Sequence, residues 1–384
     1  MAVTITSNPG DYQPIGNRFE FGFTIDASGD GGNLVYSIGY QLYDDDDTAI
    51  TDLEQIPYSA AEQFADFAND IKPHIFTTLQ DPGDAPIFEF DANAQKQFYV
   101  TYGQIEFDAS GCTTETSGVS TESSEYLAIN SAWDWFEDYS GLDDGDLVML
   151  SDRPVYNEVT ADQDIFVSMF REPTDNIFAF RLNYDKDGNQ IGSTVINSVV
   201  SSGVHIYAMS AFPDTYTDIH HWQVNFTELI GGSPVIKAYN FLISQCADSS
   251  IRELHWIEPK GSQASIVFET VSFGGNQAAG STFEKYVPSG LTNVQRGKDY
   301  GLSRANVRSL RRVTFSKIMY NATDLPKWLD GLFASSMHYV KYPLSNGTYI
   351  LAKFVIDSGS YEAYNENQLV LTVSGSIHIP VNAL

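Results

Sequence analysis

The chain has very few cysteines: Cys112 and Cys246 are the two in its 384 residues. Two cysteines this far apart form neither a disulfide framework nor a zinc site. The sequence also has no apolar run of the length that a membrane-spanning helix needs. Its first residues, MAVTITSNPG, lack the basic n-region and the apolar h-region of a secretory signal, so none is predicted.

Several catalytic and nucleotide-binding motifs are missing as well. The sequence contains no G-x-S-x-G elbow, no P-loop, no H-E-x-x-H motif and no dinucleotide-binding glycine fingerprint. A catalytic triad built from distant residues would leave no such local motif. The missing motifs nevertheless favour a protein that is not an enzyme.

Basic residues are scarce, with 21 Lys and Arg against 50 Asp and Glu, so the formal net charge is -29. The excess lies in one half of the chain. Residues 1–192 hold 36 acidic and 7 basic side chains, whereas residues 193–384 hold 14 of each. Such a surface repels phosphate groups, which argues against nucleic acid as a partner. It fits solubility, cation binding or docking to a basic partner surface.

One segment reverses this charge. Residues 296–317, RGKDYGLSRANVRSLRRVTFSK, carry a single acid, Asp299, among seven basic residues. A run of like charge is commonly a solvated loop. The alternative is an interface that meets the acidic half of a neighbouring copy or partner, because the segment lacks the interleaved aromatics of a nucleic-acid platform. The candidate interface residues are Arg296, Lys298, Arg304, Arg308, Arg311, Arg312 and Lys317.

Aromatic residues are abundant, with 24 Phe and 22 Tyr, and this composition suits strands. Short strand-like runs follow one another with turn residues between them, as in sandwiches and barrels. The sequence predicts a mainly β fold of two or three sandwich-like or barrel-like domains with a few short helices. Loop-like stretches at 109–124 and 288–305 place the domains at 1–110, 120–290 and 305–384.

Three short helices are predicted among the strands. A capping box at Ser59 opens the first helix, which ends before Pro73. The second would span about 124–138. The third, at 324–336, begins with Asp324 as its cap and has apolar residues at i, i+3, i+4, i+7 and i+8. This core-facing stripe consists of Leu325, Trp328, Leu329, Leu332 and Phe333.

A possible metal loop contains Asn183, Asp185 and Asp187, spaced N-x-D-x-D-G like the first half of a calcium loop. The twelfth position of this loop is Thr194 rather than the bidentate Glu that calcium requires. Strand-like residues flank the segment, and Asp-Gly at its tip is typical of a β-hairpin. A hairpin is therefore predicted, with these three residues as weak calcium ligands.

Histidines occur in two other strand-like stretches. His220 and His221 are adjacent, so on a strand they point to opposite faces and rarely share one metal ion. Residues 254–269, LHWIEPKGSQASIVFE, indicate a hairpin with its Pro-Lys-Gly-Ser turn at 259–262. No residue nearby in sequence orients His255. It is predicted to be a partly buried strand residue rather than a catalytic base.

Aromatic and acidic residues alternate in WDWFEDY, which contains Trp133, Trp135 and Tyr139. Paired carboxylates beside aromatic rings are what a glycosidase uses, and the carboxylates of residues 134–146 are candidates. The three aromatics are also candidates for contact with a glycan. The alternative is a helix with an aromatic core face and an acidic face toward water.

Five stretches carry a family resemblance in their order along the chain. They are VTITSNPGDYQPIGNRFEFGF at 3–23, YLAINSAWDW at 126–135, LVMLSDRP at 147–154, the 254–269 hairpin, and WLDGLFASSMHYV at 328–340. Together they resemble tail or baseplate-region structural proteins of phages and prophages of Bacteroidetes-type bacteria. The similarity covers nearly the full chain at the level of patterns. In the hairpin, the sequence departs from the family pattern at Glu258, Ser262 and Ala264, where the family has Asn, Gly and Asp.

The resemblance implies a virion structural protein that acts in assembly of the tail, baseplate or host-contact apparatus and has no catalytic residues. Its expected partners are copies of itself and other virion proteins, without insertion into a membrane. No cofactor is expected, although calcium stays open. Two alternatives also stay open: a glycan-binding or receptor-binding adhesin module of the virion, and a polysaccharide-degrading enzyme.

Overall fold

The computed structural model describes most of the chain. The described residues are 3–25, 35–57, 61–80, 82, 86–107, 113–115, 119–132, 147–160, 163–171, 177–197, 203–210, 218–227, 235–244, 252–268, 270–285, 301–320, 324–335, 337–343, 349–361 and 370–380. The chain divides into two compact units. Unit 1 comprises Met1–Asn157, Asp164–Phe241 and Ile257–Ala264. Unit 2 comprises Glu158–Gln163, Leu242–Trp256 and Ser265–Leu384.

The fold is mainly β, as the composition predicts. Among the described residues the strands are β1 (Val3–Ser7), β2 (Tyr12–Pro14), β3 (Glu20–Ile25), β4 (Val35–Asp44), β5 (Glu54–Pro57), β6 (Gln63–Asp66), β7 (Ile87–Phe90), β8 (Gln95–Phe107), β9 (Thr113–Glu115), β10 (Thr121–Glu122), β11 (Tyr126–Ile129), β12 (Val148–Met149), β13 (Tyr156–Thr160), β14 (Asp164–Arg171), β15 (Phe178–Tyr184), β16 (Gln190–Asn197), β17 (Gly203–Ser210), β18 (His221–Thr227), β19 (Val235–Ser244), β20 (Arg252–Ile257), β21 (Gln263–Phe268), β22 (Thr270–Lys285), β23 (Gly301–Tyr320), β24 (His338–Pro343), β25 (Tyr349–Tyr361) and β26 (Val370–Pro380). In the described part of the chain, neither α-helix has the length and apolar character needed to cross a bilayer.

The helices are fewer and shorter than predicted among the described residues. The first is a single turn, α1 (Ala68–Ile71), followed by a 3-10 turn at Lys72–His74. The expected start of this helix is instead strand β6, because residues 63–66 pair with β3. The predicted helix at 124–138 is also wrong over its first residues, which form β11 between β2 and β8. The third helix is confirmed as α2 (Leu325–Ala334). Asp324 takes the N-cap position, but its side chain forms no capping hydrogen bond, so the predicted cap is wrong.

Unit 1 contains two sheets that share one aromatic core. The first sheet has the order β1-β3-β6, and the second has the order β2-β11-β8-β4-β5, with β9 and β10 also paired to β8. Phe21 of the first sheet lies 5.5 Å from the ring of Tyr126, and Phe23 lies 5.7 Å from the ring of Tyr40 in the second. These buried rings supply most of the apolar area that stabilises the pair of sheets.

Two more sheets complete unit 1. One has the order β12-β14-β17-β7, and the other has the order β13-β19-β18-β15-β16. Rings from both sheets meet, since Tyr207 of the first lies 5.5 Å from Phe226 of the second. Trp222 stacks on Phe241 at 4.0 Å within the five-stranded sheet. Unit 1 is thus held by layers of interlocking aromatic side chains.

Unit 2 is built on a seven-stranded sheet, with the order β21-β20-β24-β25-β26-β23-β22. Helix α2 packs its apolar stripe inward, and the ring of Trp328 lies 4.9 Å from that of Trp256. Phe268 and Phe315 pack at 4.1 Å. Of the five predicted stripe residues, four are buried, and Phe333 is half-buried.

The division into units differs from the three predicted domains because distant segments pair. Strand β2 pairs with β11 across the predicted boundary at 109–124, and β9 and β10 within that stretch pair with β8. Strand β7 likewise pairs with β17. The second predicted boundary, 288–305, lies outside the described residues except for 301–305, which begin β23.

The turn between β20 and β21 is a heavily bonded feature of unit 1. Ser262 Oγ accepts a hydrogen bond from the amide of Ser168 at 3.1 Å, and Glu258 Oε2 accepts one from the amide of Asp152 at 2.7 Å. The Pro259 carbonyl accepts from the amide of Ala132 at 2.8 Å. This turn, residues 258–263, is called the tip here. The hairpin predicted from the sequence is confirmed, and most of its tip is buried rather than exposed.

Two further residues, Thr77 and Gln80, form hydrogen bonds with the tip. The carbonyl of Gly261 accepts a hydrogen bond from the Thr77 hydroxyl. Gln263 exchanges two hydrogen bonds with the backbone of Gln80, at 2.7 and 3.2 Å. Gly261 has a φ of +92°, and a Cβ there would lie 1.7 Å from the Asn130 carbonyl oxygen. Only glycine fits this position, both for its backbone angle and for the close approach.

Replacing Gly261 with alanine should therefore strongly destabilise the protein. The matched control is Gly188→Ala, since Gly188 also has a positive φ, +81°, but a Cβ added there would meet no other atom within 4 Å. We expect the control to lose about 1–2 kcal/mol of unfolding free energy from backbone strain alone. Gly261→Ala should lose at least about 2 kcal/mol more, because a backbone carbonyl must move. Urea unfolding measures both, and equal losses would contradict the account of the tip.

Candidate functional site

The run of aspartates at 44–47 forms a structured turn after β4. The Asp44 carboxylate is buried, and its Oδ1 accepts from the amides of Asp46 at 3.1 Å and Thr48 at 2.8 Å. Its Oδ2 accepts from Lys96 Nζ at 2.7 Å. Burial would raise the pKa of Asp44, but the hydrogen bonds from Lys96 and Thr48 outweigh it, so this pKa lies below its usual value.

Lys96 is the cation of this turn. Besides Asp44, its ammonium lies 3.6 Å from Asp45 Oδ1 and 3.7 Å from Asp46 Oδ2. The hydrogen bond to Asp44 raises the pKa of Lys96, against the opposing effect of burial. Asp44, Asp45 and Asp46 each offer one oxygen within 4.8 Å of the others, a spacing that could hold a metal ion. The Lys96 ammonium already supplies positive charge beside these three carboxylates.

A cleft of about 730 Å³ opens beside this turn in unit 1. Three of the residues that line it lie side by side on neighbouring strands. Leu127 of β11 is in register with Tyr12 of β2 and with Gln97 of β8. Phe90, at the end of β7, is 38% exposed. The lining residues are Asp11, Tyr12, Asp45, Asp46, His74, Phe90, Ala92, Asn93, Gln95, Lys96, Gln97, Glu125 and Leu127.

The cleft combines three kinds of chemistry. Four carboxylates, those of Asp11, Asp45, Asp46 and Glu125, outnumber the one lysine, so its potential is negative. Amide side chains can donate and accept hydrogen bonds, and the exposed ring of Phe90 offers an apolar face. Such a cleft can take basic side chains or a polar, ring-shaped ligand. The sequence shows the aspartate run, but Lys96 and Phe90 join it only through long-range pairing of strands.

The possible calcium loop at 183–189 is a hairpin tip, as predicted, between β15 and β16. The Asp185 carboxylate accepts from the amides of Asp187 at 2.9 Å and Asn189 at 2.8 Å, and its hydrogen bonds with Asn189 hold the pKa of Asp185 below the usual range. Asn183 is buried, and its Oδ1 accepts from Arg181 Nε at 2.9 Å. The side chains of two candidate ligands, Asn183 and Asp185, are thus already bonded within the hairpin, and Asp187 contributes its backbone amide.

The histidine stretches also have structural roles. His221 stacks on the ring of Tyr184 at 4.7 Å, and burial lowers the pKa of His221. His255 is 1% exposed, more buried than predicted. Its Nε2 lies 3.5 Å from Glu253 Oε1, so a carboxylate two residues away is close to the ring, which the sequence prediction missed. Lys341 Nζ lies 3.8 Å from the other oxygen of Glu253.

The basic segment is a strand rather than the solvated loop that the charge run favoured. Residues 301–320 form β23 between β22 and β26. Lys317 is 2% exposed, which removes it from any surface of the free chain. Arg296 and Lys298 lie outside the described residues, as do the aromatic glycan candidates Trp133, Trp135 and Tyr139 with the carboxylates of 134–146.

At the end of β23, Phe315, Lys317 and Met319 are buried, whereas Thr314 and Ser316 are half-buried. Successive side chains therefore face opposite sides there. Farther back, the register of β23 with β22 shifts between residues 305 and 308. Arg304, Arg308 and Arg312, which all belong to β23, are called the arginine row here.

Comparisons with known proteins do not show a family for this chain. No protein-family model matches it, and no curated protein matches it. Among solved structures, it is similar to the calcium-binding domain CBD12 of CALX1.1, with 11% sequence identity and a TM-score of 0.19. That similarity covers 64% of this chain and 100% of the other. At this TM-score it carries no argument about the ligand of this chain.

Lys96→Met tests the charge balance of the aspartate turn. The variant should lose about 1.5–3 kcal/mol of unfolding free energy at pH 7, because a buried carboxylate loses its charged hydrogen-bond donor. The lowered pKa of Asp44 stabilises the fold above the ordinary Asp pKa of about 3.9. The difference between variant and wild type should therefore shrink as the pH falls below about 4.

Urea unfolding at several pH values measures this difference. The control is Lys72→Met, since Lys72 is exposed and has no carboxylate partner within the salt-bridge distance among the described residues. It should change the unfolding free energy by less than about 0.5 kcal/mol. A loss for Lys96→Met that is the same at pH 3 and pH 7 would contradict the role given to Asp44.

Proposed function

We propose that the chain is a non-catalytic structural protein of a bacteriophage virion, which acts in assembly of the tail, baseplate or host-contact apparatus. The ordered stretches that resemble such proteins along nearly the full chain support this proposal. The mainly β fold with aromatic cores fits it as well. The partners are copies of the chain and other virion proteins, and the location is the virion.

The observation that carries the proposal is a separation of charge between two described features. The cleft of unit 1 has four carboxylates and one lysine. The arginine row of unit 2 has no acidic residue in register with it among the described strands of its own sheet: Arg304 is in register with Thr282, Arg308 with Ala279, and Arg312 with His378. The residues directly opposite the row therefore carry no negative charge.

Complementary charges on copies of one chain set how the copies meet. Arg308 and Arg312 are four residues apart, about 13 Å along the strand, and Arg304 precedes them on β23. Asp45 and Asp46 present side chains that are 41% and 82% exposed at the mouth of the cleft. Contact between such surfaces on different copies steers association and favours one register, more than it adds raw affinity. A head-to-tail contact of this kind closes a ring when the rotation allows it.

The triple variant Arg304→Glu/Arg308→Glu/Arg312→Glu tests this contact. Wild type should form a ring or another oligomer at low ionic strength, and the charge contact should be lost at about 1 M salt, where the Debye length is about 3 Å. The variant should lack this contact at both ionic strengths, because acidic surfaces would face each other. Light scattering coupled to size-exclusion chromatography measures the mass in each condition.

The control carries the same change in charge elsewhere. In Arg18→Glu/Lys72→Glu/Lys186→Glu, the three replaced residues are exposed and lie in unit 1, away from β23. This variant should assemble like wild type at moderate ionic strength. An arginine-row variant that assembles like wild type would refute the charge contact. So would a control that loses assembly to the same degree.

The aspartate turn is the place where the proposal considers calcium. Asp44, Asp45 and Asp46 have the spacing for a cation, but a calcium ion would have to displace the ammonium of Lys96. Calcium also prefers six to eight oxygen ligands, more than this group supplies by itself. We therefore propose no calcium requirement for assembly.

A second candidate function is glycan binding by the same cleft, as in a host-contact adhesin. The specific observation in its favour is the exposed ring of Phe90 among amide and carboxylate side chains, including Asn93 and Gln97. Aromatic faces pack on sugar rings while such polar groups bond to hydroxyls. The chain would then contact a host surface through unit 1.

Phe90→Ala tests the glycan candidate. If the wild type binds glycans on an array, the variant should weaken binding by roughly tenfold, the equivalent of about 1.4 kcal/mol lost at the ring. Phe76→Ala is the control, because Phe76 is 48% exposed but does not line the cleft. An array without hits for the wild type would remove this candidate, and equal effects of the two variants would place binding elsewhere.

A further inference from the structure

Strand β16 ends the five-stranded sheet of unit 1. Residues 178–197 form a hairpin in which β15 lies between β16 and β18. In the described part of the chain, β16 pairs with β15 and with no second strand. An edge strand of this kind presents backbone N–H and C=O groups that fit one kind of occupant, another strand.

The side chains of β16 leave this edge accessible. From Gln190 to Ile196, all residues are exposed except Gly192 and Ile196, which are half-buried. Ile191 is 38% exposed and Val195 is 48% exposed. The strand reaches eight residues, longer than an average strand.

From Gly192 onward, beyond the register shift at residues 190–192, the edge lacks the charges and prolines that keep edge strands apart. Its sequence, QIGSTVIN, has no charged residue and no proline. Charges and prolines protect other edge strands of unit 1: β5 has Glu54 and Pro57, β6 has Asp66, and β7 has Glu89. An unguarded apolar edge in a chain of net charge -29 indicates a surface that is suited to pairing.

The face beside this edge is neutral too. Across β16, β15 and β18, Val195 is in register with Phe180 and Asn225, and Ser193 is in register with Leu182 and Gln223. None of these six residues is charged. Two copies that each carry a charge of -29 repel each other over most approaches, but here they meet without opposing carboxylates. This favours a second copy of the chain as the occupant.

We propose that β16 pairs with β16 of a second copy in antiparallel orientation about a twofold axis, which joins the two five-stranded sheets into one. A twofold axis reverses the strand direction and uses the same surface twice, as an isologous contact requires. The new bonds join neutral backbone groups, so the dimer resists salt. The contact is independent of the charge contact proposed above.

The first experiment measures the mass of the full chain at about 1 M salt, where charge contacts are screened. Wild type should be a dimer there. Ile191→Lys/Val195→Lys should weaken dimerisation at least tenfold, because like charges would face each other across the axis. The control Leu53→Lys/Phe64→Lys makes the same chemical change at apolar residues that are 39% and 52% exposed, away from the five-stranded sheet, and should remain a dimer.

A cysteine cross-link tests the geometry without disturbing the apolar edge. Pairing of residues 190–197 with themselves centres the axis near Ser193, so Ser193→Cys in a Cys112→Ser/Cys246→Ser background should give a disulfide-linked dimer. Asp187→Cys in the same background should not, since Asp187 lies in the turn between β15 and β16, outside the paired strand. A wild type that is monomeric at about 1 M salt, or a Ser193→Cys variant that does not cross-link, would overturn the proposal. Assembly at low ionic strength that needs the arginine row would still stand.

Discussion

The tip at 258–263 is the constraint on which the rest of unit 1 depends. One short turn satisfies buried backbone groups of several segments that are far apart in sequence, including the amides of Asp152 and Ser168. An unsatisfied buried amide costs about as much as a hydrogen bond, so each segment is fixed at the place where its partner lies. Glycine at 261 allows the backbone of Asn130 to approach, and no larger residue does so.

The same network reaches the cleft. The Thr77 hydroxyl, which donates to the tip, accepts a hydrogen bond from the side chain of Asn130 at 2.9 Å. The amide of Asn130 donates to the Ala94 carbonyl, and the amide of Phe76 donates to the Asn93 carbonyl. Residues 93–97 carry the amides and the lysine of the cleft. Their backbone is therefore fixed by hydrogen bonds from Phe76 and Asn130. The buried hydrogen bonds around the tip thus help to fix the position of Lys96, and with it the place where Lys96 meets Asp45 at the surface.

The sequence predicts those elements of the fold that depend on interactions between residues close together in the chain. Helix α2 follows from its apolar spacing and a proline in the first turn, and the 183–189 hairpin follows from Asp-Gly between strands. The helix expected after Ser59 fails because residues 63–66 complete a sheet with β3, and tertiary pairing outweighs helical spacing. The cleft could not be predicted, since Asp44 and Lys96 are 52 residues apart and meet through strand pairing.

The two contacts proposed for this chain differ in physical behaviour. Attraction between the acidic cleft and the arginine row would act over about a Debye length, so it would orient copies before they touch and weaken in salt. Backbone pairing at β16 would have no such reach, because hydrogen bonds form only at contact distances. It would persist in salt, because the paired backbone groups are neutral. The absence of charge on β16, in an otherwise acidic unit, would therefore let one assembly use both a charge contact that orients the copies and a strand pairing that holds them together.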